Sequence, residues 1–261
     1  MKNFVTLLSF FTLIIVAGIS GACGSEESFN DDAPKETVPT AELISQADVL
    51  FKERDDLTKL RQAILLFKRA RNAEPNNYEA TWKISRSSYM LGDRTNDAVE
   101  RDKVYKDGIN YGKSATKIQA DKPEGYFWLG ASYGGQAKVS KLNGIANVND
   151  IKQNMQKVIE LQPGFQGGTA FAALAQIELQ TGSLLGGSAK KAVEYCEKAL
   201  EFEKNNSITR TTLGEAYLST NQKDKAKQQF EYVVNMKPDA NFLPEHKEPL
   251  EKAQKFLATK F

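Results

Sequence analysis

Cysteine and histidine are nearly absent from this chain of 261 residues, which carries two cysteines, Cys23 and Cys196, and one histidine, His246. A disulfide framework is therefore excluded. No CxxC, HExxH, EF-hand or P-loop spacing occurs, and the abundant carboxylates read as the solvated faces of helices. His246 stands in a stretch rich in charge and proline, expected to be a solvated loop, and any Ser/His/Asp or Cys/His site would have to be built on it. No catalytic residue is assigned and no cofactor is called for. Charge of one sign is also missing: the formal net charge is +2, with no basic stripe, which speaks against nucleic acid as a partner. Period-two alternation of apolar residues is lacking, which argues against β structure. Long hydrophobic runs are reduced to one, residues 4–19, apolar apart from Thr6, Ser9 and Thr12 and too short to be a comfortable membrane span.

That run reads instead as the core of an export signal. Met1-Lys2-Asn3 gives a short positive start, and Ser20-Gly21-Ala22 leads into Cys23. The arrangement resembles the bacterial lipobox, with Ser20 where leucine is usual. It implies cleavage after residue 22 and acylation of Cys23. An ordinary secretory signal with an incidental Cys23 is the alternative. Residues 23–39 are polar and acidic with almost no apolar anchor, which predicts a disordered tether. Each buried acyl methylene contributes about 0.8 kcal/mol, so several chains on one cysteine would hold the protein at a membrane. Gly24, rather than aspartate, after the acylated cysteine fits delivery to the outer membrane, with the protein facing the periplasm.

The remainder, 40–261, is helical in pattern and repeats one spacing. Counted from Ser207, the residues Leu213, Gly214, Tyr217, Ala226, Phe230, Val233 and Pro238 fall at positions 7, 8, 11, 20, 24, 27 and 32 of a unit about 34 residues long. This is the tetratricopeptide pattern, a helix–turn–helix that buries its faces only by stacking on neighbours. Earlier units match in part, through Ala63, Phe67, Ala70 and Pro75, then Ile84 and Ser85, then Tyr126, Leu129, Gly130 and Tyr133. The expectation is an all-α superhelix of about five repeats and a C-terminal capping helix, with an over-long helix at 96–118 and an insertion at 138–148. A loop is expected at 241–249 and the short cap at 250–259. Cys196 occupies position 24 of its repeat, where a small buried hydrophobe is the better account than redox chemistry.

Positions 2, 5, 9, 12 and 13 of the first helix of each repeat line the concave side of such arrays. In the second repeat they hold Glu79, Trp82, Arg86, Tyr89 and Met90, and in the third Glu124, Phe127, Ala131, Gly134 and Gly135. Trp82, Arg86, Tyr89, Tyr126 and Phe127 are the candidate groove residues. Apolar, aromatic walls suit an apolar ligand or an amphipathic partner segment. Alternatively the 96–118 helix and the 138–148 insertion fold over this face and make these residues core.

From Pro123 onward the segments PEGYFWLGASYGG, PGFQGGTAFAALAQIEL, LLGGSAKKAVEYCEKAL and KPDANFLPEHKE resemble the tetratricopeptide lipoprotein family called TatT, the T-component associated with TRAP transporters. A fainter similarity runs to the regulator of microtubule dynamics proteins. The chain departs from the usual pattern at Gln166 and Thr169. The resemblance implies a membrane-tethered periplasmic protein associating with a solute-binding protein, with an apolar ligand as a second occupant. A general envelope scaffold without a small-molecule site is the alternative.

Overall fold

Short polar side chains start the helices in the computed structural model, which describes residues 36–139, 141–183, 186–237 and 243–261. Asp56, Asn77, Asp97, Ser188 and Asn206 each sit in extended geometry and accept a backbone N–H of the first turn, a local instruction independent of packing. The helices so defined are α1 (Thr40–Lys52), α2 (Leu57–Ala73), α3 (Tyr78–Arg94), α4 (Ala98–Ile118), α5 (Pro123–Val139), α6 (Lys141–Leu161), α7 (Thr169–Thr181), α8 (Ala189–Phe202), α9 (Ser207–Ser219), α10 (Lys223–Asn235) and α11 (Leu243–Lys260). All regular structure among the described residues is helical. None of these helices is long and apolar enough to cross a membrane.

Successive helices pack as hairpins, and first helices of neighbouring repeats lie side by side, α3 with α5 and α7 with α9. Small residues at positions 20 and 27 let the paired helices close. Ala63 and Ala70 of α2 are fully buried with Phe67 between them, and Ala192, Cys196 and Ala199 repeat the device in α8. In the fifth repeat a Cβ on Gly214 would come within 2.5 Å of the Phe230 ring, so this position takes only glycine. The result is the all-α tetratricopeptide superhelix that the spacing predicts.

The middle departs from the regular pattern. Tyr105 of the long α4 is buried and its ring fills the space between Gly92 and Gly135, where added Cβ atoms would lie 2.6 and 2.1 Å away. Gly108 and Gly112 of α4 bring that helix against Ser132 and Leu129 of α5, and the Ser85 hydroxyl donates to the Gly108 carbonyl at 2.7 Å.

Three expectations are corrected. The insertion at 138–148 is helical from Lys141 and belongs to α6, and Asn147 anchors it by donating to the Tyr133 carbonyl at 3.2 Å. The segment 241–249 is not all loop, because α11 runs from Leu243 through Pro249. The helical phase puts His246, Pro249 and Ala253 on one buried face, so His246 is interior, 8% exposed, with no partner for Nδ1 among the described residues. Finally, the end of the expected tether, 36–39, is held on the array, since Arg69 of α2 donates two hydrogen bonds to the Glu36 carboxylate, at 2.8 and 2.9 Å. These bonds hold the Glu36 carboxyl down to about 2. The expected signal at 1–22, Cys23 and the tether as far as Lys35 lie outside the described residues.

Candidate functional site

Helical spacing sets Trp82, Arg86, Tyr89 and Met90 on one stripe of α3. Helix α1 brings Asp48 and Phe51 to meet it. The Arg86 guanidinium lies 3.6 Å from the centre of the Phe51 ring and 5.1 Å from that of Trp82. Its Nη2 stands 3.5 Å from Asp48 Oδ1. Burial lowers its pKa to about 10, opposed by the Asp48 carboxylate, and Nε and Nη2 have no hydrogen-bond acceptor among the described residues. Beside it the buried Lys83 ammonium sits between the carboxylates of Asp48 and Glu79. A buried cation with two carboxylates is fixed in place, because removing either partner leaves charge without compensation.

The other candidate residues divide. Tyr89 is wedged between Tyr105 and Trp128, with ring centres 6.2 and 6.0 Å away, and burial pushes its hydroxyl pKa upward. Trp82, Tyr89, Met90 and Tyr126 are partly buried and pack on the central core. Phe127 does not line an open groove. It is 6% exposed, meets Trp128 edge-on at 4.9 Å and faces Phe165 at 5.4 Å. Its cover includes Phe165, delivered by the tight turn after α6, rather than the 138–148 segment alone. The two aromatic walls expected from Trp82 and Phe127 are therefore one half-buried wall and one interior residue.

An open depression of about 440 Å³ runs between α1 and the start of α3, lined by Ile44, Asp48, Val49 and Lys52 on one side and Asn77 and Glu79 on the other. Val49 is 58% exposed there. The sequence reading misses α1 as a contributor. The long turn after Lys52 breaks the 34-residue count, so the spacing assigns no groove positions to this helix. A signal is nonetheless present in the 3.6-residue stripe Ala41, Ile44, Asp48, Phe51.

Elsewhere the polar groups are structural. Cys196 is free and buried, and burial pushes its thiol up to about 12, the opposite of an activated nucleophile. Glu178 is buried, accepting from Lys152 Nζ at 2.7 Å and from the Ser188 backbone N–H at 2.9 Å, so it ties α6 and the start of α8 to α7. No group of three His, Cys, Asp or Glu residues is placed to hold a metal among the described residues. The geometry offers a recognition face.

Comparison with known proteins agrees with the architecture. A family model for regulator of microtubule dynamics protein 1-3 matches residues 43–167, and one for the tetratricopeptide repeat matches residues 209–239. No curated protein matches the chain. Among solved structures, it is similar to TTC0263, a thermophilic tetratricopeptide protein of Thermus thermophilus, at 19% identity and TM-score 0.58, covering 83% of this chain and 99% of that one. It is similar also to pilF of Pseudomonas aeruginosa, at 12% identity and TM-score 0.57, covering 85% and 92% of the two chains. A third, YrrB, described as a tetratricopeptide protein with an unusual peptide-binding site, gives 13% identity and TM-score 0.51 over 84% of this chain and 91% of that one. None of these matches indicates a catalytic family. The chain has the tetratricopeptide-repeat fold, and residues 209–239 of its fifth repeat match the model of that repeat.

Proposed function

We propose that this is a membrane-tethered periplasmic protein that binds a protein partner through the α1–α3 side of the array. The observation that carries the reading is the Phe51–Arg86–Trp82 cluster: an arginine whose guanidinium lies 3.6 Å from one ring centre and 5.1 Å from the other, beside an open depression and next to half-buried Tyr89 and Met90. Aromatic and arginine side chains already ordered in the free protein contribute most to binding, since little rotamer entropy remains to be lost. The export signal and Cys23 support acyl anchoring at the outer membrane. The resemblance to TatT supports a solute-binding protein of a TRAP system as the partner. Burial of Phe127 favours a protein segment over an enclosed apolar ligand.

The test is a photo-crosslinking amino acid placed at Trp82 of the full chain in the intact cell envelope, with a second placement at Val99 on α4. A specific adduct at Trp82 and none at Val99 is the expected result. Equal labelling at both sites, or none at either, would defeat the reading.

A further inference from the structure

We propose that the outer side of α2 and α4 rests on anionic phospholipid headgroups of the membrane that carries the acyl anchor, leaving the α1–α3 side free for the partner. The inference rests on the membrane-tethered reading above and adds the surface that faces the lipid. Helix α2 carries Lys59, Arg61, Lys68, Arg69 and Arg71 and no carboxylate between Leu57 and Ala73. Helix α4 adds five cations against three carboxylates, Glu100, Asp102 and Asp107. Two of those carboxylates tie the helices side by side, Glu100 to Arg61 at 2.7 Å and Asp107 to Lys68 at 2.9 Å.

The remaining carboxylates nearby are each matched. Asp102 pairs with Lys106, Glu36 with Arg69 and Glu53 with Lys59, while Asp56 and Asp97 cap α2 and α4. Lys103, Lys113 and Lys117 are exposed and have no carboxylate partner among the described residues; the Lys113 ammonium only stands 5.7 Å from the centre of the Tyr133 ring. Helical phase lines up Val99, Lys103, Lys106, Asn110, Lys113 and Lys117 as one exposed stripe, about 27 Å long. This corrects the expectation of a chain without a basic stripe, because acids elsewhere offset these cations in the near-balanced total. Two features favour lipid over nucleic acid. Val99 is 80% exposed at the head of the stripe, and Leu65, between Arg61 and Lys68 on α2, is 59% exposed; apolar side chains among cations suit the boundary between headgroups and acyl chains. The array also begins on this side, since Arg69 holds Glu36 there. Only residues 23–35 then separate the acylated cysteine from α2, and thirteen residues reach at most about 45 Å. A tether of that length keeps the lysines at high local concentration near the headgroups, so individually weak charge contacts suffice.

The experiment uses the acylated full chain, reconstituted on vesicles of phosphatidylcholine with or without phosphatidylglycerol, each carrying a headgroup spin label. A nitrobenzoxadiazole fluorophore is placed on Val99→Cys of α4 or, separately, on Ile208→Cys of α9; Cys196 is buried and does not compete. Quenching at position 99 is expected to be at least about threefold greater with phosphatidylglycerol than without, and to fall to the lower value between about 50 and about 300 mM salt. Quenching at position 208 should not change with the lipid. Lys103→Gln/Lys113→Gln/Lys117→Gln should abolish the difference with unchanged thermal unfolding, while Lys190→Gln/Lys191→Gln/Lys198→Gln on α8, the same change in net charge, should preserve it. Equal quenching with and without phosphatidylglycerol, the same response at position 208, or equal loss in the α8 variant overturns the proposal. Release of the quenching by a random-sequence DNA duplex at about 150 mM salt makes nucleic acid the occupant and overturns it too. Failure of the protein to float with phosphatidylcholine vesicles overturns the acyl anchor alone, and the response to phosphatidylglycerol then still decides the lipid-facing surface.

Discussion

Gln166 adopts φ 50° and ψ 44°, a left-handed conformation, and it is followed by Gly167 at φ 65° and Gly168 at φ 75°. The glycine pair is legible in the sequence as a turn. Its handedness is not, because the need for three successive left-handed residues arises from packing on α8. An added Cβ would meet Phe202 and the Ala199 backbone at Gly168, which is required by space as well as by conformation, whereas at Gly167 it would meet only the Glu203 side chain and the left-handed backbone is what calls for glycine. Gln166 is exposed and bears the steric cost without such a reason. A left-handed non-glycine residue costs roughly 1–2 kcal/mol, against about 0.5–1 kcal/mol of extra entropy lost on ordering a glycine. Gln166→Gly is therefore expected to stabilise the fold by about 0.5–1 kcal/mol. Chemical denaturation measures this, and a midpoint lower than that of the wild type would refute the strain argument. His246 teaches the complementary lesson: its neighbours in sequence are prolines and charges, but its neighbours in space follow from helical phase with Ala253.

At the scale of helices, boundaries are readable wherever a capping side chain or a proline stop coincides with a change of period. Helix α2 runs over 57–73, between the Asp56 cap and Pro75. The segment 138–148 misleads because its glycine and asparagines look like a loop, while Asn147 is used to bond α5. Ties between helices far apart in sequence are invisible for the same reason. Arg61 of α2 donates to both oxygens of Glu100 of α4 at 2.7 Å, and Thr95 donates to the same carboxylate. These bonds hold the Glu100 carboxyl down to about 2, from an ordinary 4.5. On acidification the unfolded chain takes up this proton first, so the stability from the pair is present above pH 4.5 and is lost as pH falls towards 2. Glu100→Gln should destabilise by about 1 kcal/mol at pH 7, the pair being partly solvated, and should flatten the acid limb of the stability curve. Parallel stability–pH curves for the two proteins would show that the carboxylate does not contribute in this way.

Across the whole molecule, the interior is divided into separate clusters: Leu43, Phe67 and Ile84 near the start, Phe127, Met155 and Leu174 in the middle, and Leu213, Phe230 and Ala253 near the end. A stacked array holds together through contacts between neighbours, so damage at one step propagates by adjacency rather than to all parts at once. The regular fifth repeat makes this architecture legible, but it says nothing of the irregular centre. There the sequence shows only an over-long helix and surplus glycines, and their purpose appears once the Tyr105 ring is seen between Gly92 and Gly135. Truncating Tyr105 to alanine removes a fully buried ring that the glycines cannot replace, at an expected cost of about 3–5 kcal/mol. Native-state hydrogen exchange should then show α3, α4 and α5 losing protection, while amides of α9 and α10, buried around Phe230, keep theirs within about tenfold. Phe230→Ala should give the mirror image, with α9 and α10 opening and α3 to α5 protected. Uniform loss throughout the chain in both variants would mean that the array unfolds as one unit, and the argument from adjacency would fail.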